Sequence, residues 1–471
     1  MITYGRIEVF TEVSELAPLL RDGKLSSVEL TESQLDRIAR IDGKLKAYAT
    51  VMADSAQAQA RAADAEIAAG NYRGPLHGIP VAVKDLCNTT GVRTMGGSAV
   101  LADNVPDFDS TVVSRFNDAG AVMLGKLNLT EGAMAGYNPK LDVPENPWKE
   151  SYWSGASSSG SGCAAAAGLA FGTLGSDTGG SIRFPSAACG NVGLKPTWGR
   201  VSRYGVMALA ESLDHIGPMT RSAADAGIVL QAIAGLDAND PTTLPNPVPD
   251  MTANLGDGVR GLKIGFDEQY ATEDVEPELA TAITESVRVM ERLGAEIVPV
   301  NMPAKLREYL AAWAPICEAE ALAAHADTYP SRSDEYGPWF REWLRRGASL
   351  SAADYADANV LRAACVGDLR VTMRGIDLLA CPSMGSAAYP VTLDDMYGTI
   401  QQELDPWEFF RFTVPADFSG LPTISLPCGL NTDGLPLSLQ FVGHHLSELL
   451  LVQAGHTFEQ ATDFHNLHPP V

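Results

Sequence analysis

"GSDTGGSIRFP", residues 175–185, sets two adjacent glycines directly against a serine, Ser181. Glycine costs backbone entropy in the interior of a strand or helix. A pair beside a hydroxyl therefore marks bare backbone that has a task. Without side chains in the way, the N–H groups of Thr178, Gly179, Gly180 and Ser181 can turn toward one point. Several donors converging beside a nucleophilic hydroxyl make an oxyanion hole. Asp177 and Arg183 flank this loop, and pairing between them would tie it down.

Upstream, "GASSSGSGCAAAAG" (155–168) places serines and glycines ahead of an alanine run. A flexible linker is not followed at once by an apolar, helix-forming segment. A loop feeding a helix N-terminus fits better, and the free N–H groups there suit a developing negative charge.

Outward from these loops, helical and strand patterns alternate. "LSSVELTESQLDRIARI" (25–41) has helical spacing with a serine N-cap, and "ADSAQAQARAADAEIAAG" (53–70) is a second helix stopped by Gly70. "GIPVAVKD" (78–85) reads as a short buried strand ending at Lys84, and "AVMLGK" and "IDLLACPS" read as further buried strands. "PTISLPCGL" and "LPLSLQFVG", joined through "NTDG", predict a β-hairpin. The class is α/β, with a sheet that is mostly parallel and made mixed by the hairpin. The Pro/Asp/Asn-rich stretch 236–258 is expected to be a surface loop, not a domain boundary. Residues from about 305 to 370 are expected to form a helical insertion.

The 471 residues carry a formal net charge of −24, which repels phosphate backbones and argues against nucleic acid as a partner. Seven scattered cysteines without a C-x-x-C pair fit a reducing compartment better than a disulfide or zinc framework. The first residues include Glu8, Glu12 and Glu15 and lack an apolar core, so no secretory signal is expected. The most apolar run, 163–175, is too short and too glycine-rich to span a bilayer. The expectation is a cytoplasmic protein with no membrane partner.

Other catalytic patterns are missing. There is no G-x-S-x-G, S-x-x-K, H-E-x-x-H or phosphate-binding G-x-x-x-x-G-K-[ST]. A G-x-G-x-x-G at Gly256, Gly258 and Gly261 precedes a strand pattern, where a dinucleotide fingerprint would follow one. The eight histidines form no catalytic cluster; His215 reads as structural, and His444 and His445 as loop residues.

Taken together, the serine stretches resemble the amidase signature family. Ser157 and Ser181 stand at the family's spacing, and "HGIPVAVKDLCNTTGVRTMGGS" supplies its lysine at Lys84. "LGKLNLTEGAM", "GLKPTWGRVSRYG", "SLDHIGPMTRSAADA" and "GLPLSLQFVG" extend the similarity over nearly the whole chain. Ala156 and Ser159 each replace a glycine common in the family, and Ser159 adds a hydroxyl with no assigned partner. The resemblance implies a single domain, 1–471, with helices on both faces of its sheet, a helical segment over 1–70 and a signature core over 71–235. It implies a Ser–cis-Ser–Lys triad in which Ser181 is the nucleophile, Ser157 the relay and Lys84 the base. It also implies hydrolysis of a carboxylic amide, aryl amide or carbamate without metal or organic cofactor, by a monomer or homodimer acting on a small molecule.

A lysine is a base only when neutral, and its ordinary pKa is about 10.4. Val81, Ala82 and Val83 supply an apolar setting that would lower it. Asp85, next along the strand, would point to the opposite face. Trp153 and two aromatic clusters, represented by Trp339 and Phe340 and by Phe410, are candidate pocket walls. Two alternatives stay open: the amidase component of a glutamine-dependent tRNA amidotransferase, and a non-catalytic binding protein on the same scaffold.

Overall fold

In the computed structural model, which describes residues 9–398 and 405–471, the apolar run ahead of Lys84 forms a strand with all five residues buried. Glu8 and the rest of the first eight residues lie outside the described part, so the expectations that fall on them have no structural counterpart here. In chain order the strands are β1 (Tyr48–Val51), β2 (Pro80–Lys84), β3 (Val122–Leu127), β4 (Gly172–Asp177), β5 (Val192–Lys195) and β6 (His215–Thr220). They continue with β7 (Lys263–Phe266), β8 (Glu296–Pro299), β9 (Leu378–Pro382), β10 (Thr423–Leu430) and β11 (Pro436–Gly443). All belong to one sheet of a single α/β domain, in the order β1-β3-β2-β4-β6-β5-β10-β11-β9-β7-β8.

The sheet is mixed. Parallel pairing occupies two blocks, β3-β2-β4 and β9-β7-β8. The strands between these blocks pair antiparallel, as does β1 on its edge. The antiparallel share is larger than the helix–strand alternation implied, because β5 and β6 pair with each other directly, joined by a loop over 196–214 that holds no helix. The expected hairpin is β10–β11, closed by a turn in which Gly434 N–H donates to the Asn431 carbonyl at 2.9 Å.

Successive residues of a strand face opposite sides of the sheet. Val81 and Val83 of β2 and Met123 of β3 enter one apolar cluster, while Ala82, Val122 and Leu124 enter another. The sheet is thus packed on both faces. Helix Ser27–Leu45 is capped by Ser26, which exchanges bonds with Glu29 in a capping box. Together with helix Ala53–Ala68 it supplies the second cluster. The segment 1–70 is therefore not purely helical, since β1 lies within it.

Stretch 236–258 contains no helix or strand, and Arg200 ties it back by donating to the carbonyls of Asn246 and Pro247. Residues 305–372 hold helices Leu306–Leu310, Trp313–Ala324, Pro338–Gly347 and Ala352–Thr372. No helix among the described residues is long and apolar enough to cross a membrane.

Candidate active site

β2 and β4 run parallel, with Val83 beside Leu174, so Lys84 and Ser176 reach the same carboxyl-terminal edge. Ligands of open α/β sheets bind at such edges. Lys84 is fully buried, and its Nζ lies 2.6 Å from Ser157 Oγ, 2.8 Å from Ser176 Oγ and 2.9 Å from Ser158 Oγ. Burial lowers its pKa to about 7, with nearby Cys87, Asp177 and Asp214 opposing the shift. Asp85, in the turn just past the strand, pairs with Lys126 at 3.0 Å.

The three hydroxyls are not equivalent. Ser158 Oγ donates its proton to the Ser176 carbonyl at 3.1 Å and accepts the Ser176 N–H at 3.1 Å. Toward Lys84 it is therefore an acceptor. A neutral lysine has two N–H bonds and one lone pair. If Ser176 accepts as well, the two hydrogens of a neutral amine are taken and its lone pair is free to face Ser157.

Ser157 follows a cis peptide bond at Ala156–Ser157. Its neighbour Ser158 donates its N–H to the Ser181 carbonyl at 3.3 Å, which holds the two serine loops together. Among the described residues, no hydrogen bond joins the Ser157 and Ser181 hydroxyls, and the Ser181 hydroxyl bonds to no protein group. Ser159 has a partner after all: its Oγ lies 2.6 Å from the Tyr137 hydroxyl.

The 178–181 loop is held from behind. Trp313 Nε1–H donates to the Thr178 carbonyl at 3.0 Å, and Thr413 Oγ1–H donates to the Gly179 carbonyl at 2.6 Å. Glycine is required at both central positions. A Cβ on Gly179 would stand 2.8 Å from the Trp313 ring, and Gly180 has φ +135° with the Phe184 ring 2.5 Å from where its Cβ would be. The Gly180 N–H is spent on Asp177 Oδ1 at 2.7 Å, contrary to its expected place among the oxyanion donors. The carboxylate takes it because Asp177 also caps the Ile182 N–H at 2.9 Å. The N–H groups of Thr178, Gly179 and Ser181 donate to no acceptor among the described residues.

Asp177 and Arg183 do pair, through Arg183 Nη2 at 2.8 Å and Nε at 3.0 Å. Arg183 also donates to Asp417 at 2.7 Å and to the Thr413 carbonyl at 2.8 Å. All three side chains are completely buried. Burial alone would raise the Asp177 carboxyl, but the Arg183 guanidinium overcomes it and holds the group well below the usual carboxylate range. Nearby, Asp214 accepts from Thr178 Oγ1 at 2.6 Å, and burial raises its carboxyl to about 6. His215 is buried and structural, with Nδ1 3.2 Å from the Asp177 carbonyl, while His444 and His445 bind backbone carbonyls.

Ser181, 9% exposed, opens into a cavity of about 790 Å3. Trp153, Trp339 and Phe410 line it. Phe340 does not. Its side chain is fully buried beside His325 and Tyr336, because on helix Pro338–Gly347 it shares the core-facing stripe of Trp343 and Leu344. Trp313 also lines the cavity, and neither it nor Asp417, Thr413 or Ser176 was singled out by the sequence patterns.

Comparison with known proteins places these features in context. A family model described as Amidase matches residues 29–452. The chain is 46% identical over 460 residues to the Mycobacterium tuberculosis protein named "Putative amidase AmiD", covering 98% of this chain and 96% of that one. It is 41% identical over 484 residues to a component of the glutamyl-tRNA(Gln) amidotransferase of Moorella thermoacetica, covering 97% of each. Among solved structures, the native peptide amidase of Stenotrophomonas maltophilia matches with a TM-score of 0.84 at 33% identity, over 96% of this chain and 97% of that one.

Proposed function

Because this chain belongs to the amidase family and is an amide-hydrolysing enzyme, we propose that it cleaves the C–N bond of a carboxylic amide through an acyl-enzyme on Ser181. The observation that carries this reading is the buried Lys84 Nζ, 2.6 Å from Ser157 Oγ, with its pKa lowered to about 7.

Ser157 delivers its proton to the Lys84 lone pair and takes the proton of Ser181. Rotation of the Ser181 side chain closes that contact when substrate enters; catalytic hydrogen bonds are commonly open before substrate binds. Ser181 Oγ attacks the carbonyl, and the oxyanion is received by the N–H groups of Thr178, Gly179 and Ser181. The relay then returns the proton to the leaving amine. Water enters by the same route and releases the carboxylic acid, which restores Ser181. Aryl amides and carbamates suit the same chemistry.

The second reading, the amidase component of a tRNA amidotransferase, draws support from the identity to the Moorella protein. Against it stands the cavity's charge. Arg307 is the one cationic side chain among the described residues lining it, and that guanidinium faces Asp405 at 3.8 Å. Among those residues no free cation is left for the carboxylate of glutamine.

The test is a hydrolysis assay with the purified chain alone, paired with fluorophosphonate labelling. Ammonia release from simple amides and labelling confined to Ser181 are expected, and Ser181→Ala abolishes both. Turnover only of glutamine, and only with added partner proteins, would favour the second reading. Full activity of Ser181→Ala would remove the proposed nucleophile.

A further inference from the structure

The cavity at Ser181 has two chemically different parts. Its inner walls are buried rings. Trp153 stacks on Tyr389 at 5.3 Å between centroids and tilts against Phe184 at 6.1 Å, and Phe410 lies 4.4 Å from Trp313. Its outer lining carries four carboxylates, Asp274, Asp395, Asp405 and Glu408, against the single guanidinium of Arg307. The side chains of Asp274 and Arg307 are 67% and 65% exposed, so this part is the mouth.

These charges are only partly balanced. Arg307 faces Asp405 and lies over the Trp407 ring, 5.0 Å from its centroid. Asp274 faces Arg411, at 3.9 Å, from outside the lining. Asp395 accepts the Thr392 N–H and hydroxyl, which is compatible with a retained negative charge. Glu408 has no ion-pair partner among the described residues. At the inner end, Ser181 is nine-tenths buried with its hydroxyl unpartnered, so the cavity has a reactive floor, aromatic walls and an acidic entrance.

We infer that the site takes amides that are aromatic beside the scissile bond and positively charged at their far end, and that it turns away amides bearing a carboxylate there. The inference rests on the reading of Ser181 as the nucleophile at this cavity. The rings bury a flat apolar group within reach of Ser181. Charges of one sign around a low-dielectric opening raise the local concentration of oppositely charged ligands and repel like-charged ones. A cationic tail reaches the mouth without desolvation, whereas an anionic tail meets four carboxylates and, among the described residues, no free cation.

The experiment compares three benzamides of similar size: 4-(aminomethyl)benzamide, 4-ethylbenzamide and 4-(carboxymethyl)benzamide. Ammonia release is followed at low and high salt, and Ser181 labelling by a fluorophosphonate is run in parallel. The expected kcat/KM order is cationic, neutral, anionic. The cation-to-anion ratio should be about tenfold or more at low ionic strength and shrink at least about threefold in 0.5 M NaCl. Glu408→Gln should lower the ratio by about two- to threefold. Equal rates, a preference for the carboxylate, or a ratio that ignores both salt and Glu408→Gln would overturn the inference. Labelling of Ser181 without hydrolysis of any of the three would overturn it while leaving the nucleophile standing. Neither labelling nor hydrolysis would bring down the amidase reading itself.

Discussion

Lys84 Nζ stands 2.8 Å from Ser176 Oγ, so the lysine's environment is set by β4 as well as by the serine loop. In the proposed relay Ser176 and Ser158 accept the two hydrogens of the neutral amine, which leaves its lone pair to Ser157. Ser176→Ala and Ser158→Ala are each expected to lower kcat about 10- to 100-fold, with KM changing less than about threefold. Removing an acceptor from the ammonium form also lowers the Lys84 pKa further, so the acid limb of the pH profile moves to lower pH. Steady-state kinetics across pH checks both effects. A change in KM alone would assign these serines to substrate contact instead.

Thr413 acts from the back of the loop. Its hydroxyl donates to the Gly179 carbonyl at 2.6 Å, and it is absent from the cavity lining. Thr413→Val keeps the shape and leaves that carbonyl unpaired, which costs about 1–3 kcal/mol of stability. The Gly179 N–H loses its fixed direction, so kcat should fall roughly tenfold with KM nearly constant. Kinetics and urea unfolding on the same variant separate the two consequences.

The buried group of Asp177, Arg183 and Asp417 is a stability element. Asp177→Asn leaves Arg183 with Asp417 as its one carboxylate partner in a fully buried site. The expected loss is about 1–3 kcal/mol, since a buried hydrogen-bonded charge loses one of its two carboxylate partners. It should appear as a lower denaturant midpoint at unchanged slope. A loss below about 1 kcal/mol would show that the network is dispensable.

Much of this arrangement could be read from the chain. Lys84 ends an unbroken apolar strand, the glycine pair marks a loop with no room for side chains, and "NTDG" marks the hairpin turn. What stayed hidden was hidden for physical reasons. Ser176 looks like one more small residue, and only the pairing of β2 with β4 brings it beside Lys84. Trp313 and Thr413 reach the loop from more than a hundred residues away. Strand β6 carries Pro218, which weakens its strand pattern, yet it is central to the antiparallel part of the sheet. Phe340 was separable in principle. Residues 340, 343 and 344 fall on one face of a helix, and Trp339 stands at the edge of that face, about a quarter-turn from its centre.

The most direct test of the central claim is the pH dependence of kcat/KM for an uncharged amide. Lys84 must lose its proton to act, so the rate should rise through a single ionisation near pH 7 and level off above it. In Lys84→Ala the rate should collapse and that limb should vanish. A limb near pH 10, where an ordinary lysine titrates, or the same limb surviving in Lys84→Ala, would contradict the account.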